Sequence, residues 1–113
     1  MAKASNYKSL EVYHLSKKLV IACYELTHEL NAEEKNNFSR YIRTAALNLH
    51  VNLAQGVFAK RKKRKKFVRT AKNALVIIDA ATEILVKLKM ATPEQLEVIS
   101  TLSSSCCRQL DEL

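Results

Sequence analysis

Thr92-Pro93-Glu94-Gln95 is the clearest helix start in the chain. Thr92 suits an N-cap and Pro93 the first helical position. Glu94 meets the positive end of the helix dipole, and Gln95 can return a hydrogen bond to the cap. Beyond it Leu96, Ile99, Leu102 or Ser103, Cys106, Leu110 and Leu113 recur at helical spacing, which predicts a helix over about 93–112. Pro93 is the only proline and Gly56 the only glycine. A β-rich fold needs turn residues at short intervals, so this scarcity predicts long helices and few loops.

Upstream, the same spacing predicts three more helices. The first nine residues read as extended or loosely ordered. Val12, Leu15, Leu19, Ala22 or Cys23, Leu26 and Leu30 place a first helix over about 10–30. Asn31 precedes Glu34 by three residues, a cap with a reciprocal acceptor. A second helix over 32–56 carries Phe38, Ile42, Ala45, Leu49 and Leu53 on one stripe, with Gly56 as its C-terminal stop. The third, about 63–90, lacks a capping residue and opens on like charges that repel at three- and four-residue spacing, so its start is expected to fray and its body to be firm from Phe67 to Met90. The 113 residues suit one domain, and four amphipathic helices with short connections predict an all-α, antiparallel four-helix bundle.

The apolar share of 48% is that of a globular protein, and no apolar run approaches the ~18 residues of a membrane span. Three cysteines, two of them adjacent, make no disulfide framework and point to a reducing cytosol. Two apolar runs exceed what one buried stripe needs. Ala74-Leu75-Val76-Ile77-Ile78 and the stretch from Leu19 to Cys23 are apolar around the helix, which points to self-association. Shielding by long lysine stems is the competing reading.

The net charge of +8 is concentrated. Residues 59–90 hold eleven basic and two acidic side chains, and the rest of the chain is close to neutral. The focus is Lys60-Arg61-Lys62-Lys63-Arg64-Lys65-Lys66, continued by Arg69 and Lys72 at three-residue steps. Phosphate backbones reward such a cluster, because each neutralised phosphate releases counterions. Exposed internal ion pairs contribute only about 0–1 kcal/mol, so stability does not account for seven adjacent cations. These nine residues are the candidate nucleic-acid site, binding RNA or DNA through the backbone rather than by base readout. Phe58 and Phe67 flank the tract but support stacking weakly; Arg40 and Arg43 could extend the surface or be ordinary exposed residues. Competing readings are a solvated face, a localisation tag, an anionic membrane surface, or a scaffold docking an acidic protein.

No catalytic constellation stands out. His14, His28 and His50 are scattered, and a single glycine leaves no phosphate-binding loop. Cys106 and Cys107 diverge by about 100° on a helix, which suits neither chelation nor a relaxed disulfide, and Cys106 reads as core. Asp79 and Glu83 are too unspecific a pair to assign. The expectation is a non-enzyme with no metal and no cofactor.

Tyr7-x-x-Leu10-Glu11-Val12-Tyr13, Tyr24-x-x-Thr27, Ile42-Arg43-Thr44-Ala45-Ala46 with Asn48, and Asn52-Leu53-Ala54-Gln55-Gly56 resemble the four-helix-bundle family of 23S rRNA intervening-sequence proteins. That family includes the accessory variability determinants (Avd) of diversity-generating retroelements. The family's usual second arginine is Thr44 here, its Asn-Ile-Ala-Glu-Gly is spelled with Leu53 and Gln55, and Tyr13 stands where tryptophan is common. The density of the basic tract tilts the resemblance toward the Avd branch. It implies a homopentameric ring in a bacterial or phage-encoded cytoplasmic system, partnering a reverse transcriptase and binding RNA or DNA during mutagenic copying. The alternative within the family is an rRNA-insert protein of undefined role.

Overall fold

The computed structural model describes residues 7–113, with side chains from Leu10 onward except Lys35. In it the apolar positions repeating at helical spacing are the ones that face inward. α1 spans Tyr7–His28, α2 Ala32–Glu34, a π-helical turn Lys35–Ser39, α3 Arg40–Phe58, α4 Arg61–Lys87 and α5 Pro93–Asp111. No strand occurs among the described residues. α3 packs on α1 and α4, and α5 packs on the same two, so the four long helices close around a common core. Its floor includes Val12, Leu19, Ile42, Leu49, Leu53, Ile78, Leu85 and Ile99, all essentially inaccessible. The molecule is 42 Å long, close to the roughly 40 Å of a 27-residue helix such as α4. No helix among the described residues is long and apolar enough to cross a membrane.

The start of α5 has the geometry its residues suggest. Thr92 Oγ1 accepts from Gln95 N–H at 3.1 Å, and Gln95 Oε1 accepts from Thr92 N–H at 2.8 Å. Asn31 likewise caps α2, its Oδ1 accepting from Glu34 N–H at 3.0 Å. The other boundaries differ from expectation: α1 is already helical at Tyr7, within the first nine residues expected to be extended or loose, of which 1–6 lie outside the described residues. The helix foreseen over 32–56 is interrupted by the π turn. That turn carries buried Ser39 inward, where its hydroxyl donates to the Thr27 carbonyl at 3.3 Å, satisfying an end-of-helix acceptor of α1.

Gly56 is not a stop; α3 runs two residues past it to Phe58. Its role is close approach. A Cβ at Gly56 would lie 3.2 Å from Phe67 Cβ, a tight contact, so the missing atom lets α4 seat closely on α3 without a shift of a few tenths of an ångström. Ala59 and Lys60 are extended, and α4 begins at Arg61 rather than fraying to Phe67. Its first turns are pinned by Phe67 against Gly56 and by Arg64 Nε donating to the Gly56 carbonyl at 3.2 Å. At the other end α4 stops at Lys87, not Met90. Lys89 takes a left-handed φ of 62°, and the Lys89 and Met90 amides donate back to the Val86 and Leu85 carbonyls. That is a Schellman ending with lysine in the usual glycine place.

Candidate nucleic-acid interface

Helical spacing sorts the tract by direction. Ala71, Ala74, Leu75, Ile78, Thr82 and Leu85 form the buried stripe of α4. Lys62, Lys66 and Arg69 lie on the opposite side, one above another along the helix, with Lys65 beside them, and all four are exposed. Lys60, Arg61 and Lys63 are also exposed, around the helix start. Two members point elsewhere. Arg64 is half-buried and bonded to Gly56, and Lys72 forms an ion pair with Asp111 of α5. That hydrogen bond raises the affinity of the Lys72 ammonium for its proton.

The first turn of α4 has no acidic residue, and the Lys60 side chain makes no capping bond. Cations at this end of a helix oppose its dipole, by about 0.3–1 kcal/mol each near the surface. Massed positive charge at a helix N-terminus suits an anion instead. The arrangement weakens the isolated helix and favours a bound polyanion.

Arg43 is not part of this surface. Its Nε donates to Thr27 Oγ1 at 2.7 Å, its second guanidinium nitrogen to the Tyr24 carbonyl at 3.4 Å, and the guanidinium lies 4.5 Å over the Tyr24 ring. The inward turn clips α3 to the end of α1. Arg40 remains exposed beside Tyr41 and Asn37.

An aromatic cluster invisible in the linear sequence closes the opposite end of the bundle, where α1 begins and α3 ends. Tyr13 stacks on His50 at 5.0 Å, meets Phe58 edge-on at 5.7 Å, and carries Lys17 Nζ 4.5 Å from its ring centre. Ser16 Oγ donates to the Tyr13 carbonyl at 2.8 Å and lies 2.7 Å from His50 Nδ1. Which of Ser16 and His50 donates in that second contact follows from the imidazole tautomer. Burial, with help from Lys17, lowers the His50 pKa below its ordinary value.

The remaining chemistry is quiet. Burial pushes the Cys23 and Cys106 thiols up to about 12, which disfavours the reactive thiolate. Asp79 accepts from Ser103 Oγ at 3.0 Å; burial raises its carboxyl pKa, the serine bond pulls it down and Glu83 pushes it up. Among the described residues no three His, Cys, Asp or Glu side chains gather as a metal site.

The apolar runs also resolve by direction. Val76 is 66% exposed and Tyr41 62%, with Ile84 nearby; together with Phe38, Ile77 and Ala80 they line an open apolar groove between α3 and α4. On α1, Ile21 is exposed. Wrapping by lysine stems does not cover these side chains.

A family model described as 23S rRNA-intervening sequence protein matches residues 8–112. No curated protein matches the chain.

Proposed function

The chain belongs to the 23S rRNA-intervening sequence protein family, and from that premise we propose that it is a non-enzymatic accessory protein that holds the phosphate backbone of RNA or DNA. One observation carries this reading: Lys62, Lys65, Lys66 and Arg69 are exposed on the side of α4 that contributes nothing to the core. The protein spends no carboxylate in that first turn to offset them. Backbone clamping needs dense, outward and mobile cations, with no pocket and no reacting group.

The test is binding of labelled single- and double-stranded oligonucleotides across a salt titration. Affinity should fall steeply with salt. Replacing Lys62, Lys63, Lys65 and Lys66 by glutamine should flatten the slope by about three and weaken binding by ~100-fold or more at moderate salt. A chain that ignores both nucleic acids at low salt, or a variant that binds like the parent, would refute the reading. In the former case a scaffold docking an acidic protein becomes the better account.

Self-association is part of the same proposal. The exposed groove around Tyr41, Val76 and Ile84 is the apolar surface a second copy would cover. A homo-oligomeric ring, of five copies by the family likeness, would repeat the tract around one rim and multiply its field. The family likeness also supplies the proposed cytoplasmic partner, a retroelement reverse transcriptase that would perform the chemistry. Light scattering on the purified chain and its Val76→Glu variant tests the oligomer; co-purification with a reverse transcriptase encoded beside it tests the partner.

A further inference from the structure

The start of α4 and the end of α5 enclose a groove beside the outward ridge of the tract, with Lys65 at the border between them. Arg61, Arg64, Lys65 and Lys72 line it, over an apolar floor that includes Val68. One anion already sits there. The Asp111 carboxylate, delivered by the last turn of α5, accepts from the Lys72 ammonium. Carboxylate and phosphate oxygens present the same acceptors to an ammonium, and a phosphodiester carries its full negative charge at neutral pH.

We propose that this groove is a phosphodiester subsite, that Asp111 occupies it in the free chain, and that an entering backbone phosphate takes Lys72 over from Asp111. The inference rests on the reading of the tract as a nucleic-acid clamp and adds a built-in competitor to it. The pair is suited to exchange because it is open to water, with the lysine side chain 37% and the aspartate 59% exposed. An exposed pair of this kind contributes about 0–1 kcal/mol, so a ligand offering several phosphates can displace it. The core would be undisturbed, because Leu110 rather than Asp111 is the last buried residue of α5. Asp111 then acts as a brake on affinity, holding one cation back from ligands that cannot reach into the groove.

The experiment is a salt-titrated anisotropy measurement with a labelled 20-nucleotide oligo(U) on the full chain, Asp111→Asn, Lys72→Gln, the double variant and Glu97→Gln. Glu97 is exposed on α5, about 21 Å along the helix from Asp111, so its variant makes the same charge change away from the groove. Asp111→Asn should bind about two- to fivefold tighter than Glu97→Gln. The gain should vanish once Lys72 is glutamine. Equal affinities for the Asp111 and Glu97 variants, or a gain that survives loss of Lys72, would overturn the subsite while leaving the clamp intact. If the parent binds no oligonucleotide at low salt, the clamp itself fails and the subsite with it.

Discussion

Cationic side chains on adjacent helices are used in opposite ways. Arg43 on α3 points inward and bonds Thr27 and the Tyr24 carbonyl of α1. Arg69 on α4, with Lys62, Lys65 and Lys66, points away from every buried residue of its helix. The first is charge used to build the bundle, since its donors meet acceptors the fold supplies. The second is charge presented by the bundle, on a scaffold whose stability it does not raise. Both carry a full positive charge; the acceptor across the gap decides the role.

The comparison predicts a clean separation of effects. The largest falls on binding. Glutamine at Lys62, Lys63, Lys65 and Lys66 should cost ~100-fold or more in oligonucleotide affinity. The unfolding free energy should change by no more than about 0.5 kcal/mol, because the exposed lysines add no burial and repel one another. A variant that unfolds at once would show that the tract belongs to the fold after all.

Arg43→Ala should do the reverse. It strips Thr27 Oγ1 and the Tyr24 carbonyl of a charged donor and removes the contact with the Tyr24 ring, at a cost of about 2–3 kcal/mol. Chemical denaturation measures the loss, and oligonucleotide affinity measured well below the unfolding midpoint should match the parent. Equal damage to affinity would place Arg43 on the binding face and dissolve the contrast.

Gly56→Leu probes the seam between the two regions. The new side chain would drive into Phe67, whose Cβ is rooted in the α4 backbone, so the helix must lift off α3. Overpacking of this kind costs about 1–3 kcal/mol. Because Arg64 and the tract ride on the same turns, this variant alone should disturb both stability and binding. Loss of one without the other would mean that α4 is not seated by the glycine.

Period and caps made the bundle legible. The stripes through Ile42, Leu49 and Leu53 and through Ile99, Cys106 and Leu110 sort inside from outside by spacing alone, and Thr92 with Gln95 marks α5 to the residue. Contacts between distant residues were not legible. A lone glycine after an apolar stripe reads as a stop, and only the path of α4 shows that it is a contact. Arg43 offered no local hint of direction, because Thr27 and Tyr24 are far from it in sequence. The Tyr13–His50–Phe58 cluster was missed for the same reason. In the tract, charge was legible but direction was only partly so: Lys72 reads as one more step of the ridge and instead turns to Asp111.

The smallest expected effect tests whether acids follow the same division as bases. Asp79 sits between α4 and α5, hydrogen-bonded by buried Ser103, while burial and nearby Glu83 hold its pKa above the ordinary 3.8. A carboxyl with a raised pKa binds its proton more tightly in the folded chain than in the unfolded one. Its contribution to stability is therefore fully present below the ordinary carboxylate pKa and is lost as pH rises through the raised value. Asp79→Asn keeps an acceptor for Ser103 without the charge, so it should be slightly more stable than the parent at pH 7. That advantage should shrink as pH falls toward 3.8. Urea midpoints of the two proteins, compared at a series of pH values, read the difference directly. An advantage that grows on acidification would mean that the ionised carboxylate is stabilised in place, which would make Asp79 a counter-charge built into the fold in the manner of Arg43.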